Sequence, residues 1–368
     1  MMLGDVMKIV GLIVEYNPLH NGHIHHINEV KTKSNADLLI CVMSSSFTMR
    51  GDLSLFDKFT KTHQALEANI DLIIELPLVY SIERADIFSS NAVKILNMLK
   101  VDEIWIGSEL NDISIYNEYY LKENDINNKD DYSNSYKNKS NIDLLSNDLL
   151  GYFYFKAIKQ NNFNIELKTI KRINSNYLDL TPNDEHITSA LAIRNDLSLL
   201  DKYCPNFVSK DKNNILDENE LFKYLKYKIL STKKSELKEI FFVDEGLENK
   251  LDTIKDFNDY NSFIDSLVSK RYTKTRIKRM LIYILLNIKK NDINKIYDNE
   301  IDFIRVLGYN EKGKNYLNKI KKELNVLTNI KHNINLALDI ELNASLILDS
   351  IYNINLFKLE QSSPIYKK

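Results

Sequence analysis

The sequence predicts an α/β fold built on a parallel sheet, joined to a mostly helical C-terminal domain. Three observations carry that expectation. Short apolar runs alternate with helical patterns through the first hundred residues, strand signals become sparse beyond about Ile215, and 368 residues exceed what one hydrophobic core usually organises.

The apolar runs Ile9 to Val14, Leu38 to Met43, Leu72 to Leu76 and Glu103 to Ile106 read as buried strands, with helix patterns near 21–33, 57–69 and 89–100 between them. Such an alternation implies parallel neighbours joined by right-handed crossovers, with ligands bound beyond the carboxyl ends of the strands. Between about Asn111 and Asn141 the chain turns polar and rich in Asn, Asp, Lys and Tyr, which predicts a variable insertion. A helix over Leu144 to Ile158, a strand over Ile165 to Ile170 and a helix over His186 to Leu200 complete a first domain of residues 7–200. Amphipathic stretches at Leu221 to Leu230, Phe263 to Lys289 and Ile334 to Ile351 place a mainly helical domain over residues 215–368.

The net charge of −2 hides an asymmetry, since residues 1–200 carry 19 Lys and Arg against 27 Asp and Glu, and residues 201–368 carry 30 against 24. The basic excess fits an anionic partner docking on the second half. No run approaches a membrane span, and the opening residues lack the apolar core of a signal peptide, so a cytoplasmic protein with no membrane partner is expected. Cys41 and Cys204 fit neither a disulfide framework nor paired zinc ligands.

Chemistry concentrates in Glu15-Tyr16-Asn17-Pro18-Leu19-His20-Asn21-Gly22-His23, directly after the first strand and before a helix, and four of the seven histidines fall within residues 20–26. A helix N-terminus is an anion site, and Gly22 admits close approach of a ligand. Transfer of a nucleotidyl group needs charge stabilised on phosphorus oxygens and on departing pyrophosphate, so His20 and His23 are the candidate catalytic pair. Helix capping and metal ligation by His20, His23 and His26 stand as the alternatives.

The series GLIVEYNPLHNGHIHH, VMSSSFTMRGD, DKFTKTHQAL, DLIIELP, WIGSE, TIKRI and ALAIR, in that order from Lys8 to about Leu197, resembles bacterial tRNA(Met) cytidine acetate ligase, a branch of the nucleotidyltransferase superfamily. The resemblance implies a Rossmann-like nucleotidyltransferase sheet and an enzyme that uses ATP and acetate to form acetyl-adenylate. It then acylates N4 of the wobble cytidine, C34, of elongator tRNA(Met). It also implies an ATP site made of Ile13, Val14, Glu15, Tyr16, Asn17, Pro18, Leu19, His20, Asn21, Gly22, His23, Ile24, His25 and His26, completed by Gly107, Asn147 and Arg172.

Each of the last three also has a bland role: Gly107 ends a strand, Asn147 caps a helix and Arg172 is a solvated cation. In SALAIR, Ser189 and Arg194 are kept, but Leu191 stands where a hydroxyl residue is expected, which puts a second phosphate clamp in doubt. No KMSKS-like segment is present, which argues against an aminoacyl-tRNA synthetase.

Arg50 and Lys58 follow the second strand and suit either phosphate or a surface ion pair. The segment Lys270 to Arg279 packs six cations around Tyr272, which marks Lys270, Arg271, Lys274, Arg276 and Arg279 for tRNA contact. Mg²⁺ suits the ATP phosphates, but no dedicated ligand set is evident. A small-molecule adenylyltransferase and a catalytically silent nucleotide- or RNA-binding protein remain as alternatives.

Overall fold

The computed structural model describes residues 7–127, 144–172, 181–182, 184–244, 246–253, 259–331 and 335–368. The four early strands form as expected: β1 (Ile9–Val14), β2 (Leu38–Ser44), β3 (Leu72–Leu76) and β4 (Glu103–Ser108), with β5 (Glu166–Lys171) close behind. Apolar side chains on both faces bury β2 and β3 completely, which is the signature of a sheet covered on both sides. The helices Asn21–Ser34, Lys58–Glu67, Ala85–Met98 and Ser146–Gln160 make the crossovers.

The sheet continues past β3 with strands that the sequence reading did not foresee, β6 (Phe303–Tyr309), β7 (Asn325–Leu327) and β8 (Ile365–Tyr366). The order is β5-β4-β1-β2-β3-β6-β7, and β8 pairs with β6. Neighbours from β5 to β3 are parallel, whereas β6 runs antiparallel to β3. The helix-rich C-terminal part thus completes the sheet that the N-terminal part begins.

Three other expectations are refined. Ser114–Asn127 is helical within the stretch read as an insertion, and its continuation, residues 128–141, lies outside the described residues. The helix expected over His186 to Leu200 breaks into Ala190–Asn195, a 3-10 turn at Leu197–Leu199 and Leu200–Tyr203. Ser189 Oγ accepts from the Ala192 amide and Asp196 from the Ser198 amide, so each restarts the chain as an N-cap. The stretch Phe263 to Lys289 likewise divides into Tyr260–Leu267 and Lys274–Leu285, the second started by Thr273 as its cap.

One buried group pins the two parts together. Lys58, read as a phosphate ligand or a surface ion pair, is neither: it is fully buried, with Nζ 2.6 Å from Glu75 and 2.9 Å from Glu341, and it also contacts Glu360. Arg305 of β6 donates to Glu360 at 3.2 Å. Burial works against the Lys58 charge, but the three carboxylates outweigh it and raise its pKa. Burial and the nearby Glu341 push Glu75 up to about 8, against the opposing pull of Lys58 and Arg305. Among the described residues these glutamates are the group spaced to share a metal, and the Lys58 ammonium stands where an ion would sit.

Candidate active site

The site forms where β1 ends. Tyr16 turns the chain through a left-handed conformation, φ 47°, and His20 takes extended geometry, φ −132°, as N-cap of the helix Asn21–Ser34. His20 Nδ1 accepts the Gly22 amide at 3.0 Å, and His23 Nδ1 accepts the His20 amide at 3.2 Å. This reciprocal capping box uses imidazoles where hydroxyl and carboxyl groups are usual. Because both Nδ1 atoms accept, the hydrogen-bond pattern assigns the ring proton to Nε2 in each, which makes Nε2–H a donor. The two rings lie 3.9 Å apart, and the Tyr16 ring meets His23 edge-on at 5.1 Å. Capping, set against a functional role in the sequence, therefore uses Nδ1 of each ring and leaves Nε2 out of the cap.

Burial, reinforced by Arg172 and Arg194, lowers the His20 pKa to about 3. Burial, His20, Arg172 and His26 hold His23 well below its usual value, and burial with Arg172 and His25 lowers His26 to about 4. Neutral imidazoles in the positions of His20 and His23 can donate from Nε2 to an anionic oxygen from a pre-set direction.

On the β4–β5 side, Gly107, Arg172 and His26 converge. A Cβ at Gly107 would stand 3.4 Å from Arg172 Cγ and 4.0 Å from His26 Cδ2, so the missing side chain keeps that corner open. Asn147 Nδ2 donates to Glu109 Oε1 at 2.5 Å, and Arg172 Nε lies 3.6 Å from the same oxygen. Asp148 organises the loop behind them by accepting from the Glu109 and Leu110 amides at 3.1 and 3.2 Å and from Tyr116 at 2.7 Å.

On the β2 side, Glu15 Oε1 accepts the Met49 amide at 2.6 Å. Buried Lys61 gathers the carbonyls of Glu15, Ser44 and Ser45 at 3.0, 3.1 and 2.7 Å, fixing the ends of β1 and β2. Arg194 Nη1 donates to the Asn17 carbonyl at 2.6 Å, and Asn17 Oδ1 accepts the Leu55 amide at 2.7 Å.

One cavity unites these groups. From Ile13 to His26 all but Pro18, Leu19, Asn21 and Ile24 line it, together with Gly107, Asn147, Arg172 and Arg194. Leu19 is in the core and Asn21 donates to the His186 carbonyl at 3.0 Å, so these side chains shape the motif from behind. Thr48, Met49, Asp52, Phe88, Trp105 and Tyr154 also line the cavity. The first three lie within the quoted segment VMSSSFTMRGD, and the ligand-edge rule pointed to that loop without choosing among its residues.

The basic segment divides. Lys270, Arg271 and Lys274 are exposed, although Lys274 meets Asp265 at 2.8 Å. Arg276 pairs with Asp244 at 3.4 Å and lies over the Tyr272 and Phe242 rings at 5.3 and 5.6 Å. The expectation for Arg279 is corrected: it is buried and its Nε donates to the Met49 carbonyl at 2.7 Å, so it does not present itself to RNA, while Tyr272 packs in the core.

Residues 7–363 match the family model of the HIGH Nucleotidyl Transferase. The chain belongs to that family. This HIGH nucleotidyltransferase is 37% identical over 334 residues to the tRNA(Met) cytidine acetate ligase of Staphylococcus aureus strain JH9, covering 86% of this chain and 87% of the relative. The ligase of strain COL gives the same values. Among solved structures it shares the fold of Thermotoga maritima TmcAL in its apo form I, with TM-score 0.83, 24% identity and 98% of this chain against 99% of that one. TmcAL bound with alpha-thio ATP superposes with TM-score 0.79 at the same identity and coverage. The described residues contain no helix long and apolar enough to cross a membrane.

Proposed function

We propose that the chain is an ATP-dependent ligase that joins acetate to N4 of C34 in elongator tRNA(Met) through acetyl-adenylate. The observation that carries this reading is the 37% identity to a tRNA(Met) cytidine acetate ligase across 86% of the chain. The cavity in which His20 and His23 share one helix N-terminus with Arg172 opposite supports it.

On this reading ATP lies over the β4–β5 side, with its phosphates toward His20 and His23 and its base or ribose in the corner that Gly107 leaves open. An acetate oxygen attacks the α-phosphorus, the bond to the β-phosphate oxygen breaks, and pyrophosphate departs with its negative charge met by Nε2–H donors and the Arg172 guanidinium. The cytidine amine then attacks the acetyl carbonyl, AMP leaves with the electrons of the anhydride bond, and the amine loses one proton. No protein nucleophile takes part. Mg²⁺ would arrive with the ATP phosphates and neutralise part of their charge. The cavity carboxylates Glu15 and Asp52 are engaged by the Met49 amide and by Lys278, so they form no ready ligand pair.

Residues 7–200 serve ATP and acetate in this proposal, and residues 215–368 meet tRNA through Lys270, Arg271, Lys274 and Arg276. A tRNA substrate places the work in the cytoplasm. The test is acetate-dependent exchange of labelled pyrophosphate into ATP without tRNA, followed by nucleoside analysis of a tRNA(Met) transcript. Exchange and N4-acetylcytidine are expected. Exchange only with a phosphorylated small molecule would replace this reading by an adenylyltransferase, and no turnover with any acceptor would leave a binding protein.

A further inference from the structure

The cavity wall on the β2 side is a tight turn, Thr48 to Asp52, closed by the Thr48 amide on the Asp52 carbonyl at 2.9 Å and flanked by the bridge between Phe47 and Leu53. The helix Lys274–Leu285, more than two hundred residues later, grips this turn. Lys278 pairs with Asp52, and Arg279 Nε reaches the Met49 carbonyl at 2.7 Å. Gly51, at φ 78°, lies so close that a Cβ there would stand 2.5 Å from the Arg279 backbone nitrogen. Met49 is thereby held from two directions, its amide by Glu15 of the His motif segment and its carbonyl by Arg279.

Sheet order gives this grip a direction. β1 separates β2 from β4 and β5, so Gly107 and Arg172 lie on one side of Glu15 and the Met49 turn on the other. A nucleotide seated over β4 and β5 leaves the Met49 side to the second substrate. We infer that Arg279 is a positioning residue that, through the Met49 carbonyl, fixes the wall against which acetate is seated. The inference rests on the ligase reading proposed above. A guanidinium suits the task, because its Nε–H is held in a rigid plane and its charge strengthens the bond to a carbonyl.

The test uses the full chain with Arg279→Met and Arg279→Lys. Amide hydrogen exchange over residues 47–53 needs no activity, and Arg279→Met should raise it on the order of tenfold while the helix Asn21–Ser34 is unchanged. In pyrophosphate exchange the same variant should raise KM for acetate on the order of tenfold or more, with KM for ATP within about twofold. Arg279→Lys keeps one donor to Met49 and should recover most of both effects.

Unchanged loop exchange in Arg279→Met would overturn the grip, and an equal rise in both KM values would overturn its assignment to the acetate side. If melting shows Arg279→Met unfolded, the lysine variant decides: an acetate KM raised about threefold with ATP unaffected supports the inference, and equal shifts sink it. A wild-type chain without acetate-dependent exchange refutes the ligase reading instead, and the loop exchange still judges the grip.

Discussion

His23 Nδ1 accepts the backbone amide of His20 at 3.2 Å, so the ring proposed to meet phosphate also holds its neighbour at the helix start. Capping and donation are then separable by substitution. His20→Asn should keep the cap, because Asn is among the best N-caps, and lose the Nε2 donor. Pyrophosphate exchange should fall about 10²–10³-fold with melting nearly unchanged, whereas His20→Ala should also lose about 1 kcal/mol of stability. Wild-type exchange in His20→Asn would remove the ring from the chemistry.

The low His20 pKa, about 3, fixes a pH signature. Below the unfolded value of about 6.5 the unfolded chain binds a proton that the folded ring refuses, so stability falls as the pH drops from about 6.5 toward the folded value. The slope approaches about 1.4 kcal/mol per pH unit for that one group. Urea unfolding at pH 5, 6 and 7.5 should show a smaller loss on acidification in His20→Asn than in the wild type. Parallel curves would mean that His20 titrates normally in the folded protein.

Lys58→Met leaves three buried carboxyl groups with one cation, Arg305, nearby. Breaking such a cluster from one side is expected to cost about 3–5 kcal/mol in urea unfolding. A loss below about 1 kcal/mol would show that the carboxyl groups simply protonate.

Replacing Lys270, Arg271 and Lys274 together with Ala should weaken tRNA binding and flatten its dependence on salt by about one unit for each phosphate contact removed. ATP affinity, measured by calorimetry, should not change. Identical salt slopes for variant and wild type would exclude these cations from the RNA interface.

What could be seen in the sequence follows from how local each signal is. The β1-motif-helix unit was legible because apolar run, turn and helix pattern are contiguous, and Gly107 near the end of β4 and Arg172 just after β5 stand where ligands bind in such sheets. β6 was not, since Phe303–Tyr309 carries the charged Arg305 within it, and the charges that let it be buried, Glu75 and Glu360, lie elsewhere in the chain. Arg279 looked like one more cation in a basic run. What removes it from solvent is a carbonyl 230 positions earlier, which no local pattern announces.

The partners of Lys58 carry a consequence for how the chain is made. Glu341 lies 283 residues downstream of it, and Glu360 later still. At about 5–20 residues per second, a ribosome needs roughly 15–60 s to deliver the first of them. Until β6 follows, the nascent sheet has β3 as an open edge, and until Glu341 and Glu360 follow, Lys58 has only Glu75 of its three carboxyl partners. Stalled or truncated synthesis products ending before residue 341 should therefore be substrates for proteases rather than half-active enzymes.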